Sequence, residues 1–117
     1  MFRWVERLCY KILRIDPEKE HTWKAYAVAM IFFSLVPMLM TYGILRIQDS
    51  LPLNPQKLAK VSDALAFNTS ASFTTNTNWQ SYGGEATMSY LSQMVALASH
   101  NYFSAAVGIC IAAALAP

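Results

Sequence analysis

The chain has 117 residues, of which 55% are hydrophobic and only 14% charged, where an ordinary soluble domain carries about 25% charged residues. Charge thins along the chain: residues 1–24 hold six Lys/Arg and four Asp/Glu, 46–60 hold Arg46, Lys57, Lys60 and Asp49, and 61–117 hold only Asp63 and Glu85. A second half of that kind cannot cover a soluble surface, so composition points to a membrane protein, and a net charge of +2 gives no ground for a nucleic-acid partner.

In chain order, the first element is predicted in "WVERLCYKILRI". Helical spacing puts Val5, Leu8, Cys9, Ile12 and Leu13 on one face, with Arg3, Arg7, Lys11 and Arg14 mostly elsewhere. Such a helix suits a membrane surface; docking on another chain's domain remains an equal alternative. Asp16-Pro17-Glu18 is expected to end it. The first twenty residues lack the uninterrupted apolar core of a signal peptide. Cys9 and Cys110 lie far apart, and no metal spacing or disulfide framework follows from them.

Residues 25–45, "AYAVAMIFFSLVPMLMTYGIL", contain no charge. Their 21 residues reach about 31 Å as a helix, the thickness of a bilayer core. Lys24 and Arg46 close the ends, and Trp23, Tyr26 and Tyr42 lie near the headgroup levels. Pro37 sits inside, which a membrane helix tolerates when neighbours satisfy the freed carbonyl. The excess of basic residues in 1–24 over 46–60 predicts a cytoplasmic amphipathic segment over 1–24 and an external loop over 46–62. That loop, with two prolines and an Asn-Pro, reads as extended and irregular.

Residues 63–73, "DALAFNTSASF", predict a helix of about 16 Å, half a bilayer, with Ser62 or Asp63 at its start. A polar run, "TTNTNWQSYGGE", follows at 74–85. Either it is a surface loop, or it is backbone taken to membrane depth, which requires burial in protein or a water-filled path. In the second case the short helix aims its negative C-terminal end inward, favouring a cation. An extended strand over Thr74–Asn78 could then offer carbonyls in place of the water shell of an alkali ion. Gly83 and Gly84 are expected to turn the chain back out through positive φ. The run 86–117 is predicted as a second membrane helix, bent near 99–101, and rich in small residues that let helices approach closely. Gln93, His100 and Asn101 are its polar members, and polar groups at such depth are expected to face protein or water.

The segments "LPLNPQ" (51–56), "FNTSASFTTNTNWQSYGGE" (67–85), "MSYLSQM" (88–94) and "NYFSAAVGI" (101–109) resemble the KdpA family of potassium-transporting ATPase subunits, collinearly from about Val5 to Leu115. The resemblance implies an all-α membrane protein of the potassium-channel-like transporter superfamily. Its unit is a helix, a re-entrant pore loop and a helix, and four such loops in one chain form the filter. The chain is then a partial one, covering the first repeat: 25–45 as first helix, 63–85 as pore half-helix and filter loop, 86–117 as second helix.

The resemblance also assigns residues. Thr75, Asn76, Thr77 and Asn78 are the filter positions, acting mainly through backbone carbonyls, with potassium at Asn76 and Thr77. Gln80, Gly83, Gly84 and Glu85 support the filter and its exit turn. Gln80 is open between contacting ions and supporting a neighbouring strand, Glu85 between a solvated charge at the mouth and an ion pair, and Trp79 is expected to pack behind the filter. Two positions depart from the expected pattern: Thr74, where an apolar residue is expected, and His100, where glutamine is expected.

The function implied is selection and translocation of potassium, without catalytic residues or an organic cofactor. Hydrolysis of ATP falls to a P-type catalytic partner, alongside small accessory subunits, in a bacterial inner membrane whose lipid is the other partner. The loop is entered from the periplasmic side. The alternatives are a truncated membrane protein with a structural or interaction role, and a free-standing channel of four copies.

Overall fold

The computed structural model describes residues 3–14, 16 and 19–116, and the described residues are helical with no strand among them. The elements are α1 (Arg3–Leu13), α2 (Trp23–Arg46), α3 (Asp63–Thr74), the short α4 (Gly84–Thr87), a π-helical segment (Ser92–Ala98) and α5 (Ser99–Leu115). In α1, Trp4, Leu8 and Ile12 form an exposed apolar row, flanked along one edge by Arg7 and Lys11. The Pro17 and Glu18 of the expected terminator lie outside the described residues, as do the side chains of Arg3 and Leu13.

α2 starts where a helix can be capped: Thr22 is extended, and its hydroxyl oxygen accepts from the Ala25 N–H at 3.3 Å. Lys24 lies 5.5 Å from the centroid of the Trp23 ring. The helix continues through Pro37 to Arg46. It and the run Ser92–Leu115 are each 24 residues, long and apolar enough to cross a membrane.

These two helices run antiparallel. Tyr26 donates to the Cys110 carbonyl at 2.8 Å, Phe33 meets Phe103 edge to face at 6.0 Å, and the Thr41 hydroxyl lies 2.9 Å from His100 Nδ1. Ser92 donates to Gln48 Oε1 at 3.0 Å. Positions rise along α2 as they fall along its partner.

α3 packs against both and is half as long, 12 residues, or about 18 Å. It starts beside the C-terminal end of α2, where Asp63 pairs with Arg46 at 2.7 Å and accepts from Tyr42 at 3.3 Å. It stops beside His100, which faces Thr41. The chain then turns and comes back: Gln48, just past α2, donates to the Thr87 carbonyl at 2.8 Å. The apolar core sits at this end, in Leu45, Val61, Ala66, Phe73, Met88 and Leu97. Much of the rest of α2 is open, including Val28, Ile31, Phe32, Val36 and Leu39.

The run expected as one bent helix from residue 86 is divided near its start. α4 is a separate turn, the ladder breaks at Met88 and Ser89, and helix resumes at Tyr90. Gln48 causes the break: its amide takes the Thr87 carbonyl, and its oxygen accepts the Ser89 N–H at 3.2 Å, so both backbone groups leave the helix. Ser89 then caps the next stretch, its hydroxyl accepting the Ser92 N–H at 3.2 Å. Residues 99–101, where a bend is expected, lie in regular α-helix, and the π-helical segment precedes them and ends at Ala98.

Candidate functional site

The candidate site is the ribbon that leaves α3. It is not the extended strand expected over Thr74–Asn78. Thr74 is still helical, Thr75 and Asn76 form a turn, and 77–80 are irregular. The reason lies in two asparagines: Asn76 (φ 56°) and Asn78 (φ 54°) are left-handed, whereas Thr75 is at φ −85°. Asparagine tolerates that region because its short amide can bond locally.

The ribbon's N–H groups all turn back to the end of α3. Thr75 donates to the Ala71 carbonyl at 3.0 Å and Asn76 to the Phe73 carbonyl at 3.2 Å. Thr77 and Asn78 both donate to the Ser72 carbonyl, at 3.0 and 3.3 Å. The Trp79 N–H reaches the Ser72 hydroxyl at 2.6 Å. The helix's last carbonyls, which α-helical geometry leaves without partners, are thereby used. The Thr75 and Thr77 hydroxyls also meet, at 2.7 Å. No hydrogen bond among the described residues is donated to the carbonyls of Thr75, Asn76, Thr77 or Asn78. The ribbon's donors are thus taken up by the end of α3, while its peptide oxygens receive no hydrogen bond among the described residues.

Behind it lies a polar shelf. His100 is 2% exposed. Its Nδ1 is 2.9 Å from the Thr41 hydroxyl and its Nε2 is 3.0 Å from the Thr74 hydroxyl. The two positions that depart from the expected pattern, Thr74 and His100, thus touch. Ser104 donates to Asn76 Oδ1 at 3.4 Å. Among the described residues no three His, Cys, Asp or Glu side chains gather to hold a metal ion, so any cation here would meet neutral oxygens.

The other expected residues spread out. Gln80 lines an open hollow of about 510 Å³ with Asn68, Asn78, Trp79 and Ser81. Trp79 does not pack behind the ribbon as expected: it is 79% exposed. Gly83 and Gly84 do not supply positive φ, since no glycine has it; Gly83 (φ −84°) precedes α4, and the left-handed residues of 74–85 are Asn76 and Asn78. A methyl group at Gly83 would meet only the Ala86 methyl, at 3.9 Å. Glu85 is exposed and has no ion pair among the described residues. Both cysteines are free and exposed.

Sequence reasoning missed Ser72 and Gln48. Gln48 is fully buried; its amide donates to the Ala59 and Thr87 carbonyls at 2.6 and 2.8 Å, while its oxygen accepts from the Ser89 N–H and the Ser92 hydroxyl. It joins three segments that are remote in sequence, so only their convergence could reveal it. Gln93, noted in advance, does similar work, donating to the Gly84 and Met88 carbonyls at 3.1 and 3.3 Å.

Known proteins of the same kind match the whole length. A subunit from Pseudomonas aeruginosa is 52% identical over 112 residues, covering 96% of this chain and 20% of its own. One from Koribacter versatilis is 57% identical over 115 residues, covering 97% and 20%. One from Rhodospirillum centenum is 55% identical over 111 residues, covering 95% and 19%. Each is named a potassium-transporting ATPase potassium-binding subunit. The chain spans about a fifth of the length of these curated relatives. The family model for the potassium-transporting ATPase A subunit matches residues 1–117, and this chain belongs to that family.

Proposed function

We propose that residues 63–85 form one pore loop of a potassium-binding, potassium-translocating subunit, and that Thr75, Asn76, Thr77 and Asn78 select the ion with their backbone carbonyls. The observation that carries this reading is the division of the ribbon's backbone groups: its N–H groups are bonded to residues 71–73, and its carbonyls have no donor among the described residues. Asn76 and Asn78 are left-handed, with Thr77 between them outside the positive-φ region. A ring of such oxygens replaces the hydration shell of an alkali cation. The C-terminal end of α3 adds its partial negative charge at the same place. Without carboxylates, the site holds a monovalent ion loosely enough to release it.

In this reading α2 and the run 92–115 span the membrane, and α3 enters only halfway before the chain returns. Residues 1–24, rich in Lys and Arg, lie on the cytoplasmic side of a bacterial inner membrane. The loop is entered from the periplasm. Glu85 is a solvated charge at the mouth, drawing cations toward it. Gln80 faces the ion path from its exposed position, and Gly83 and Gly84 form the exit turn. The chain performs no bond-breaking. It passes potassium to a P-type ATPase partner that hydrolyses ATP, in a complex that also holds small accessory subunits. The names of its relatives and the family match support this placement.

The decisive experiment separates backbone from side chain. Asn78 makes no side-chain hydrogen bond among the described residues, yet its φ is 54°. With the segment carried in a full-length potassium-binding subunit, Asn78→Gly is expected to keep potassium uptake close to the parent, because glycine adopts positive φ freely. Asn78→Val is expected to raise the half-saturating potassium concentration about tenfold or more, since a β-branched residue is strained there. Equal loss in both variants would mean that the amide itself is needed. No loss in either would remove the ribbon from the ion path.

A further inference from the structure

We propose that His100 is a positioning residue for the ribbon: a neutral imidazole that ties the last turn of α3 to α2 and so fixes where the carbonyl run begins. This rests on the reading of 75–78 as the ion-selecting run. The geometry determines the proton's place. The Thr74 hydroxyl has one proton, and it is donated to the Ser70 carbonyl at 2.7 Å. Thr74 Oγ1 can therefore only accept from His100, which puts the ring proton on Nε2, 3.0 Å away. A neutral ring with its proton on Nε2 has an acceptor at Nδ1, which takes the Thr41 hydroxyl proton at 2.9 Å. Thr41 and His100 are both buried, at 3% and 2% exposed.

The ring's neighbours are uncharged. α2 brings Pro37, Met40 and Ile44 around it beside Thr41, and the helices of the second span bring Val95, Ser99 and Phe103. The two hydroxyls, one on each ring nitrogen, hold the ring in one orientation. Thr74 is the last residue of α3, and the next four residues are the ribbon. Ser72, which anchors the N–H groups of Thr77, Asn78 and Trp79, lies in the same turn. Rotation or slippage of that turn moves all the anchors together. His100 thus acts on the ribbon through Thr74, without touching an ion.

The test uses the assembled complex with this segment in a full-length subunit, and reads three quantities: assembled protein, half-saturating potassium, and discrimination against rubidium. Thr74→Val, which keeps the shape and removes the hydroxyl, is expected to raise half-saturation about tenfold and to narrow discrimination, with assembly unchanged. His100→Leu is expected to do the same, and the double variant to be no worse than His100→Leu alone, because that change already breaks the Thr74–His100 bond that Thr74→Val removes. His100→Gln, with donor and acceptor at its tip, is expected to restore most of the function. A histidine that merely fills space would lower assembly without altering discrimination, and that result overturns the proposal. Additive losses in the double variant overturn it too. Should His100→Leu fail to assemble, Thr74→Val decides. Asn78→Val serves as the control: if it impairs uptake while Thr74→Val and His100→Leu leave it intact, the positioning role falls and the ribbon stands. If Asn78→Val is also without effect, the ribbon reading itself fails.

Discussion

Gln48 and Thr69 show how differently two buried polar residues can weigh. Gln48 has every amide group partnered, by Ala59, Thr87, Ser89 and Ser92. Gln48→Leu would leave the buried Ser89 N–H without its partner and take the donor from the part-buried Thr87 carbonyl, and an unsatisfied buried group costs about 1–3 kcal/mol. Relaxation shares the loss, so the variant is expected to destabilise by about 2–4 kcal/mol. Thr69 is also fully buried, yet its hydroxyl has no partner among the described residues. Thr69→Val keeps the shape and removes the stranded group, so stability is expected to hold or to rise by about 1 kcal/mol. Thermal unfolding of the two variants in the same membrane preparation checks both: a large loss at 69 would show that the hydroxyl is bonded after all. The Tyr82 hydroxyl is stranded likewise, and burial pushes its phenol pKa up. None of this was legible in the sequence. A glutamine next to an aspartate in a proline-containing loop reads as a surface residue, and its partners lie up to 44 positions away.

At the scale of elements, the apolar runs were legible and the breaks between them less so. α2 was expected over 25–45 and occupies Trp23–Arg46, extended by the Thr22 cap. α3 was expected over 63–73 and ends one residue later, at Thr74. The length of an uncharged run and the position of a capping residue are local facts, and sequence carries them. The left-handed asparagines were missed because glycine is the usual choice for positive φ, so attention fell on Gly83 and Gly84. The split at Met88–Ser89 was missed because Gln48 imposes it from another element. The start of α3 offers a test of how much its one ion pair matters. Asp63 sits in the first turn, where the helix dipole favours a carboxylate. Its pairing with Arg46 is mostly solvated, with the Asp63 side chain 75% exposed, so Asp63→Asn is expected to lose less than about 1 kcal/mol. The loss should shrink further in high salt. Melting curves at low and high salt check this, and a large, salt-independent loss would mean that Asp63 acts through its bond with Tyr42 instead.

At the scale of the molecule, what this chain leaves open matters as much as what it packs. Its apolar core is confined to one end, while Trp79, the outer face of α2 and the ribbon at 75–80 are all exposed. An alkali ion gives up its water only where oxygens surround it, and the known filter of this kind is built from four loops. A ribbon bonded on one side to its own helix offers oxygens from one direction alone. Dehydration would then cost more than the contacts return, and water would stay on the ion. The isolated 117-residue chain is therefore expected to show no saturable binding when titrated in detergent with micromolar potassium. The full-length subunit should bind under the same conditions. If the isolated chain did bind, its mass in detergent would identify the cause. A tetramer would mean that four identical ribbons close the ring, as in a channel of separate subunits. A monomer that binds would mean that the ribbon coordinates potassium without its neighbours, and the need for other loops would fall with it.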